Sequence, residues 1–208
     1  MKLFKHFSLI LIFLILIKLF QGCNNFQQQI ILFELNKLKI SNLDNAGLYL
    51  QQSVNDTMYS EAVAFRISVS DTSGMIGLAA KKYVEIGISS CMANEPEPSF
   101  KPAQMIENIN VVSLFDISDS VKANTDVTAF FCYNTDDYSG SGDLYLTWDQ
   151  LAEIIAGRSY DNQMLSFDLF LKESVMAENS QFIISLSLSD GRTLQDTTAL
   201  ITIINEDY

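Results

Sequence analysis

Apolar and polar residues alternate with a period of two over several stretches of this chain. That period marks half-buried strands, whose side chains point to opposite faces in turn. Within residues 62–70, Phe65, Ile67 and Val69 alternate with Arg66, Ser68 and Ser70. Leu165, Phe167, Leu169 and Leu171 alternate with Ser166, Asp168, Phe170 and Lys172, and Phe182, Ile184, Leu186 and Leu188 with Ser185, Ser187 and Ser189. Val84, Ile86 and Ile88, running to Cys91, and residues 109–117 read as further strands. Ile31, Phe33 and Leu35 begin a strand whose phase reverses at Leu38 and Ile40, which predicts a bulge near Asn36-Lys37. Asp190-Gly191 carries the signal of a two-residue hairpin turn, with the return strand running from Leu194 to Ile204.

One segment has the helical period instead. Thr147 and Gln150 form a capping-box pair, and Leu151, Ile154 and Ile155 make an apolar stripe. Asp149 favours the positive end of the dipole, and Gly157 is placed for a left-handed C-terminal cap. A shorter helical turn is predicted at Val127–Phe131, capped by Asn124, Thr125 or Asp126. Asp44-Asn45-Ala46-Gly47, Asp71–Gly77 and Asn134–Asp143 read as loops, and Leu78–Tyr83 fits either a helical turn or a strand start. All three prolines, Pro96, Pro98 and Pro102, fall within seven residues and predict an extended, ladder-poor crossover. The fold class expected is mainly β: an antiparallel two-sheet sandwich, an immunoglobulin-like arrangement being one form of it, with one short helix near 148–156. No βαβ alternation or solenoid repeat competes with it.

The chain begins differently. Lys2 and Lys5 precede an eleven-residue run, Phe7 to Ile17, broken only by Ser8, and Gly22-Cys23 follows. A hydrocarbon core of ~30 Å needs about 20 apolar residues to cross, so this run has the length of the apolar region of an export signal. Gly22-Cys23 resembles the lipobox of bacterial lipoproteins, whose cysteine sulfur receives a diacylglycerol and becomes the first residue. Phe20 stands where that family usually has Leu, Gln21 where it has a small residue, and Lys18 lies unusually close. The resemblance implies cleavage after residue 22 and lipidation of Cys23; a plainly secreted chain and an uncleaved short anchor are the alternatives. The domain organisation expected is a leader over 1–22, a polar tether over 23–29 and a single sandwich domain over 30–208.

Composition narrows what such a domain does. The chain has 13 basic and 25 acidic residues; without residues 1–22, which hold three lysines and no acid, ten basic residues remain against the same 25 acids. So negative a chain repels nucleic acid and anionic lipid, leaving cations, neutral glycans and proteins as partners. The one histidine, His6, lies inside the leader, so cleavage removes histidine-based triads, zinc sites and haem ligation from consideration. No cofactor is indicated. With Cys23 acylated, Cys91 and Cys132 form an even pair in an oxidising compartment. A bridge between them would close a loop of about 40 residues and contribute roughly 4 kcal/mol on the chain-entropy account. Alternatively the two are separately buried small apolar side chains.

Candidate chemistry clusters around Asn134–Glu153. Asn134, Asp136, Asp137 and Asp143 offer hard oxygen ligands for calcium, but their spacing departs from the helix-loop-helix calcium loop. Solvated turn residues are the simpler reading. Asp136, Asp137, Asp143, Asp149 and Glu153 are the candidate acids for a carboxylate-dependent glycan hydrolase, which needs two of them roughly 5 to 9 Å apart, one with a raised pKa. Trp148, the one tryptophan, is either a sugar-stacking platform or cover for the core edge.

The order of several pieces, Asn42-Leu-Asp-Asn-Ala-Gly47, Glu61-Ala-Val-Ala-Phe-Arg-Ile67, Cys91 before the prolines, Thr125-Asp-Val-Thr-Ala-Phe-Phe131, and Ser189-Asp-Gly-Arg192 with Thr197-Thr198, resembles a family of uncharacterised Bacteroidota lipoproteins carrying a domain of unknown function. The resemblance spans most of 42–204. It implies a lipid-anchored envelope protein and carries over no catalytic residue. Asn24-Asn25-Phe26-Gln27 lacks the acids that usually follow the cysteine in surface-displayed members, which points to the periplasmic side of the outer membrane. The function expected is a non-enzymatic binding or structural module with a protein or glycan ligand on its loops; the alternative is the glycan hydrolase.

Overall fold

The structure, a computed structural model, describes residues 29–45, 51–52, 56–71, 98–135, 145–172, 175 and 177–204. The chain divides into two compact units, one made of Met1–Ile31 with Met75–Ser99 and the other of Leu32–Gly74 with Phe100–Tyr208. Of the first unit only residues 29–31 and 98–99 are described, so the architecture below is that of the second. The strand expected at Val84–Cys91 lies outside the described residues.

In chain order the strands are β1 (Ile30–Phe33), β2 (Lys37–Asp44), β3 (Gln51–Gln52), β4 (Thr57–Tyr59), β5 (Val63–Ser70), β6 (Ser99–Pro102) and β7 (Ile106–Ser113). A 3₁₀ turn at Thr128–Phe130 leads into β8 (Phe131–Asn134), and helix α1 (Trp148–Gly157) follows. β9 (Met164–Leu171), β10 (Asn179–Ser180), β11 (Phe182–Leu188), β12 (Thr193–Thr197) and β13 (Ile201–Ile204) complete the described elements. The protein is mainly β, with several antiparallel sheets and one short helix.

Two sheets form the body. One has five strands in the order β3-β2-β5-β9-β8, antiparallel throughout. The other is β12-β11-β7, also antiparallel. Period-two patterning explains how they face each other. Ile40, Ile67 and Phe167 are aligned across β2, β5 and β9, as are Leu38, Val69 and Leu165, so these side chains share one face of the larger sheet. On the smaller sheet Phe182, Ile184, Leu186 and Leu188 are all buried. The two faces meet at three rings: Phe65 on β5 lies 5.4 Å from Phe182 on β11, and Phe131 on β8 lies 5.6 Å from Phe182 and 6.2 Å from Phe65. Edge-to-face aromatic packing of this kind joins the sheets into a sandwich-like core.

The far face of the larger sheet is not simply solvated, as alternation alone would have it. Leu43, Ala64, Phe170 and Cys132 are matched across β2, β5, β9 and β8 and form a second buried cluster. In the next row, Arg66 on β5 meets Asp168 on β9 in a two-pronged ion pair, Nε to Oδ1 and Nη2 to Oδ2, both 2.8 Å. The Asp168 side chain is 4% exposed and that of Arg66 35%. Planar guanidinium matched to planar carboxylate is the geometry that holds a charge at such a depth.

Two smaller sheets complete the described pairings. β4 pairs with β13 in parallel, Thr57 opposite Thr202 and Tyr59 opposite Ile204, and β10 pairs with β13 antiparallel. β1 and β6 make a two-stranded sheet.

Several local expectations are corrected. The phase change at Asn36-Lys37 is not a bulge: the chain leaves β1 and enters β2 of a different sheet, Asn36 N–H donating to the Ser70 carbonyl at 3.2 Å. The strand expected at 109–117 runs from Ile106 to Ser113, after which Ile117 closes a turn with Val121. Pro102 ends β6, a place where its missing N–H costs no ladder bond. The return through 194–204 is two strands in two sheets, broken at 198–200 where Thr198 Oγ1 accepts from Phe182 N–H at 3.0 Å. A hairpin does form around Asp190, but not with a two-residue turn: Ser189, Asp190 and Gly191 lie between Leu188 and Arg192, the Leu188 N–H donating to the Arg192 carbonyl at 2.9 Å, with Gly191 at φ +84°. Helix α1 carries both bonds of its capping box at Thr147 and Gln150. Gly157 is its last helical residue and not a left-handed cap; Arg158, in extended conformation, closes the end through its N–H to the Ile155 carbonyl.

Candidate functional site

β8 is an edge strand, and edges are where a sheet offers backbone groups to a partner. Here the edge is partly closed by its own chain. Tyr133 N–H donates to the Leu146 carbonyl at 3.1 Å and Leu146 N–H returns to the Tyr133 carbonyl at 2.8 Å, while Phe131 N–H is taken by the Thr128 carbonyl at the end of the 3₁₀ turn. Between these closures lies a groove of about 740 Å³, walled by Phe131, Tyr133, Leu146, Trp148 and Ala129, with Asp126, Lys172 and Tyr145 on it as well. Its size falls within the roughly 300–1,000 Å³ of small-molecule sites.

Each wall is positioned by a local cause. Thr147 caps α1 and so begins the helix at Trp148, whose ring packs on Tyr133 (5.6 Å) and Phe167 (6.2 Å) and whose indole N–H donates to the Glu107 carbonyl at 3.3 Å. Trp148 is therefore held at the core edge, its polar handle occupied. Tyr145, one residue before the bridge to Tyr133, is 53% exposed and makes an edge contact with Phe170 at 5.4 Å. Asp126 sets the start of the 3₁₀ turn: its Oδ1 accepts from Thr128 N–H at 2.9 Å and Thr128 O–H at 2.6 Å, and Oδ2 accepts from Asn110 at 2.9 Å. The turn expected at 127–131 is present over Thr128–Phe130, but its N-cap is Val127, which makes no side-chain cap bond; Asp126 lies one residue earlier and accepts from Thr128.

These contacts decide the electrostatics. The Thr128 hydroxyl and N–H hold the Asp126 carboxyl below the usual carboxylate range, with Asn110 adding to them. Burial pushes the Tyr133 hydroxyl up to about 12. The Cys132 thiol is free and buried, donating to the Phe170 carbonyl at 3.5 Å, and burial raises it as well. Among its described residues the groove thus holds one fixed anion at Asp126, one exposed ammonium at Lys172, and neutral walls. No ion pair joins Lys172 to Asp126 among the described residues.

The residues singled out from the sequence distribute unevenly. Cys23, Cys91, Asp136, Asp137 and Asp143 lie outside the described residues. Asn134 is half-buried on β8, its Oδ1 accepting from Thr135 N–H at 2.7 Å. Asp149 and Glu153 are exposed on α1 and Glu153 lines a separate small apolar groove, of about 230 Å³, with Met105 and Ile155. Neither lines the groove beside Trp148. Among the described residues no three of His, Cys, Asp and Glu gather as a metal site. No described helix is long and apolar enough to cross a membrane. Tyr133, Tyr145 and Lys172 were missed by sequence reasoning, because the groove unites 126–133, 145–148 and 172, which no local pattern links; the exposed phase of Tyr145 beside buried Leu146 was the one available signal.

No family model matches this chain, and neither the curated proteins nor the solved structures include one similar to it.

Proposed function

We propose that this protein is a lipid-anchored component of the bacterial cell envelope, held through Cys23 on the periplasmic side of the outer membrane, and that its body is a non-enzymatic binding module. The observation that carries the binding reading is the groove along β8. It is concave and aromatic, and Asp126, the one acid among its described lining residues, is held below the usual carboxylate range by three hydrogen bonds. A general acid needs the opposite shift, and a carboxylate pair needs a second acid, which the described residues do not place on the groove. The other described acids with strong partners, Asp168 with Arg66, Asp116 with Lys122 and Asp190 with Arg192, are engaged in holding strands and turns. For the anchor, support comes from the basic start, the short apolar run and Gly22-Cys23, together with the resemblance to envelope lipoproteins.

Mass spectrometry of protein extracted from membranes tests the reading. The expected product begins at Cys23 with a diacylglycerol and an acyl chain added, and Cys23→Ser abolishes both modification and membrane retention. A product beginning at Met1, or an unmodified chain recovered in the soluble fraction, refutes the anchor. Loss of the protein on protease treatment of intact cells would move it to the cell surface.

A further inference from the structure

We infer that the groove along β8 takes a neutral oligosaccharide, with the Tyr145 ring as its stacking platform and Lys172 and Asp126 meeting sugar hydroxyls on either side. This deepens the binding-module reading and rests on it.

Three features of the groove point to that class of ligand. The first is the state of Tyr145. A phenol ring 53% exposed, with one edge set against Phe170 and its backbone fixed by the neighbouring Leu146–Tyr133 bridge, is a preorganised flat apolar surface facing water. Pyranose rings present a face of C–H groups that covers such a ring while their hydroxyls stay in contact with polar neighbours. Trp148 does not compete for this part: its N–H is bonded to Glu107 and its ring is set against Tyr133 and Phe167, so it serves as wall.

The second feature is charge. Lys172 brings donors only and Asp126 acceptors only, and they are not paired with each other. Sugar hydroxyls donate and accept at once and can satisfy both. Asp126 is already oriented by Thr128 and Asn110, so no side-chain freedom is lost there on binding. Among the described residues one anion and one cation leave no surplus positive charge, and the chain as a whole is at −12, so uronic, sulfated or phosphorylated ligands are repelled.

The third feature is the closed edge. A peptide added as an extra strand needs free N–H and C=O groups on β8. Both groups of Tyr133 are taken by Leu146, and the Phe131 N–H is taken by Thr128. That leaves too little of the ladder to recognise an extended backbone.

The chain's one tryptophan stands in the groove wall, so its emission reports occupancy directly. Full-length protein in detergent is titrated with neutral oligosaccharides, namely β-1,4-glucan, α-1,4-glucan, β-1,4-mannan, β-1,4-xylan and chitin hexamers, and with polygalacturonate oligomers as the anionic control. At least one neutral oligosaccharide is expected to change the emission saturably. Tyr145→Ala should weaken that binding at least tenfold while leaving the thermal midpoint unchanged, and Lys172→Ala should weaken it severalfold. The inference is overturned if no neutral hexamer gives a saturable change, if the anionic oligomers bind more tightly, or if Tyr145→Ala binds as the parent does. A tryptic peptide mixture that shifts the emission of the parent but not of Tyr145→Ala also overturns it, while leaving the binding-module reading in place. Lipid on Cys23 is read separately by mass spectrometry, so failure of the anchor and failure of the ligand assignment are distinguishable.

Discussion

Removing the ring of Phe182 should separate the two main sheets more than any other single truncation in the described body. Phe182 and Phe65 are both fully buried, and their rings meet at 5.4 Å and 63° across the sandwich, with Phe131 5.6 Å from Phe182 on the same side as Phe65. Truncating a buried Phe to Ala costs about 3–5 kcal/mol through lost transfer energy and the residual cavity. For a chain of this size that corresponds to a fall of roughly 6–20 °C in Tm. The ring–ring contribution is separable: Phe65→Leu, Phe182→Leu and the double variant should give a coupling of about 0.5–1.5 kcal/mol, because edge-to-face pairs contribute that much beyond the area they bury. Urea denaturation at constant slope measures all four free energies. Phe115→Ala, at a ring 37% exposed, serves as the surface control and should change stability by less than about 0.5 kcal/mol. A loss below about 1 kcal/mol for Phe182→Ala, or strict additivity of the Leu variants, would refute the face-to-face packing.

Alkaline pH should destabilise the fold over a defined window. Burial raises the Tyr133 and Tyr160 hydroxyls to about 12 against an ordinary 10, so the folded state keeps protons the unfolded state releases. Stability is therefore full below pH 10 and falls between 10 and 12, by roughly 2–3 kcal/mol for each hydroxyl; Tyr133→Phe and Tyr160→Phe should each flatten the slope of Tm against pH there. Thr147→Ala removes the reciprocal cap of α1 and should cost about 1 kcal/mol, read as a Tm lower by a few degrees, with Gln150→Ala doing less than the same again in the double variant. At Gly191 nothing lies within 4 Å of an added Cβ, so Gly191→Ala should cost only the left-handed backbone penalty of about 1–2 kcal/mol. In the folded protein the Cys132 thiol should react with a small alkylating agent only at rates set by opening of the structure, because it is buried and its ionisation is disfavoured.

Where one face of a strand is buried and the pairing is local, the pattern of residues was sufficient. β5, β9, β11 and α1 fall where alternation or helical spacing put them, and the capping box is present in both its bonds. What failed to show is everything set by non-local pairing. β1 and β2 read as one bulged strand because the same alternation serves two different sheets, and β12 with β13 read as one return for the same reason. The far face of the larger sheet reads as polar at Arg66 and Asp168, yet the pair is matched across two strands and Asp168 is buried. Gly157 fits the composition rule for a C-terminal cap, but the next residue, Arg158, turns outward in extended conformation and closes the helix without a positive φ. The groove was legible only in its wall at Trp148 and in Asp126 as a polar residue at the turn before β8.

The parallel seat of β13 beside β4 sets Thr202 against Thr57, partners separated by most of the chain, with Ile201 and Ile203 buried there. This sheet can therefore close only once the chain has been made through Ile204, and parallel neighbours so distant in sequence carry a large loop-closure entropy and form slowly. A product stopped at residue 200 should remain a ready substrate for quality-control proteases.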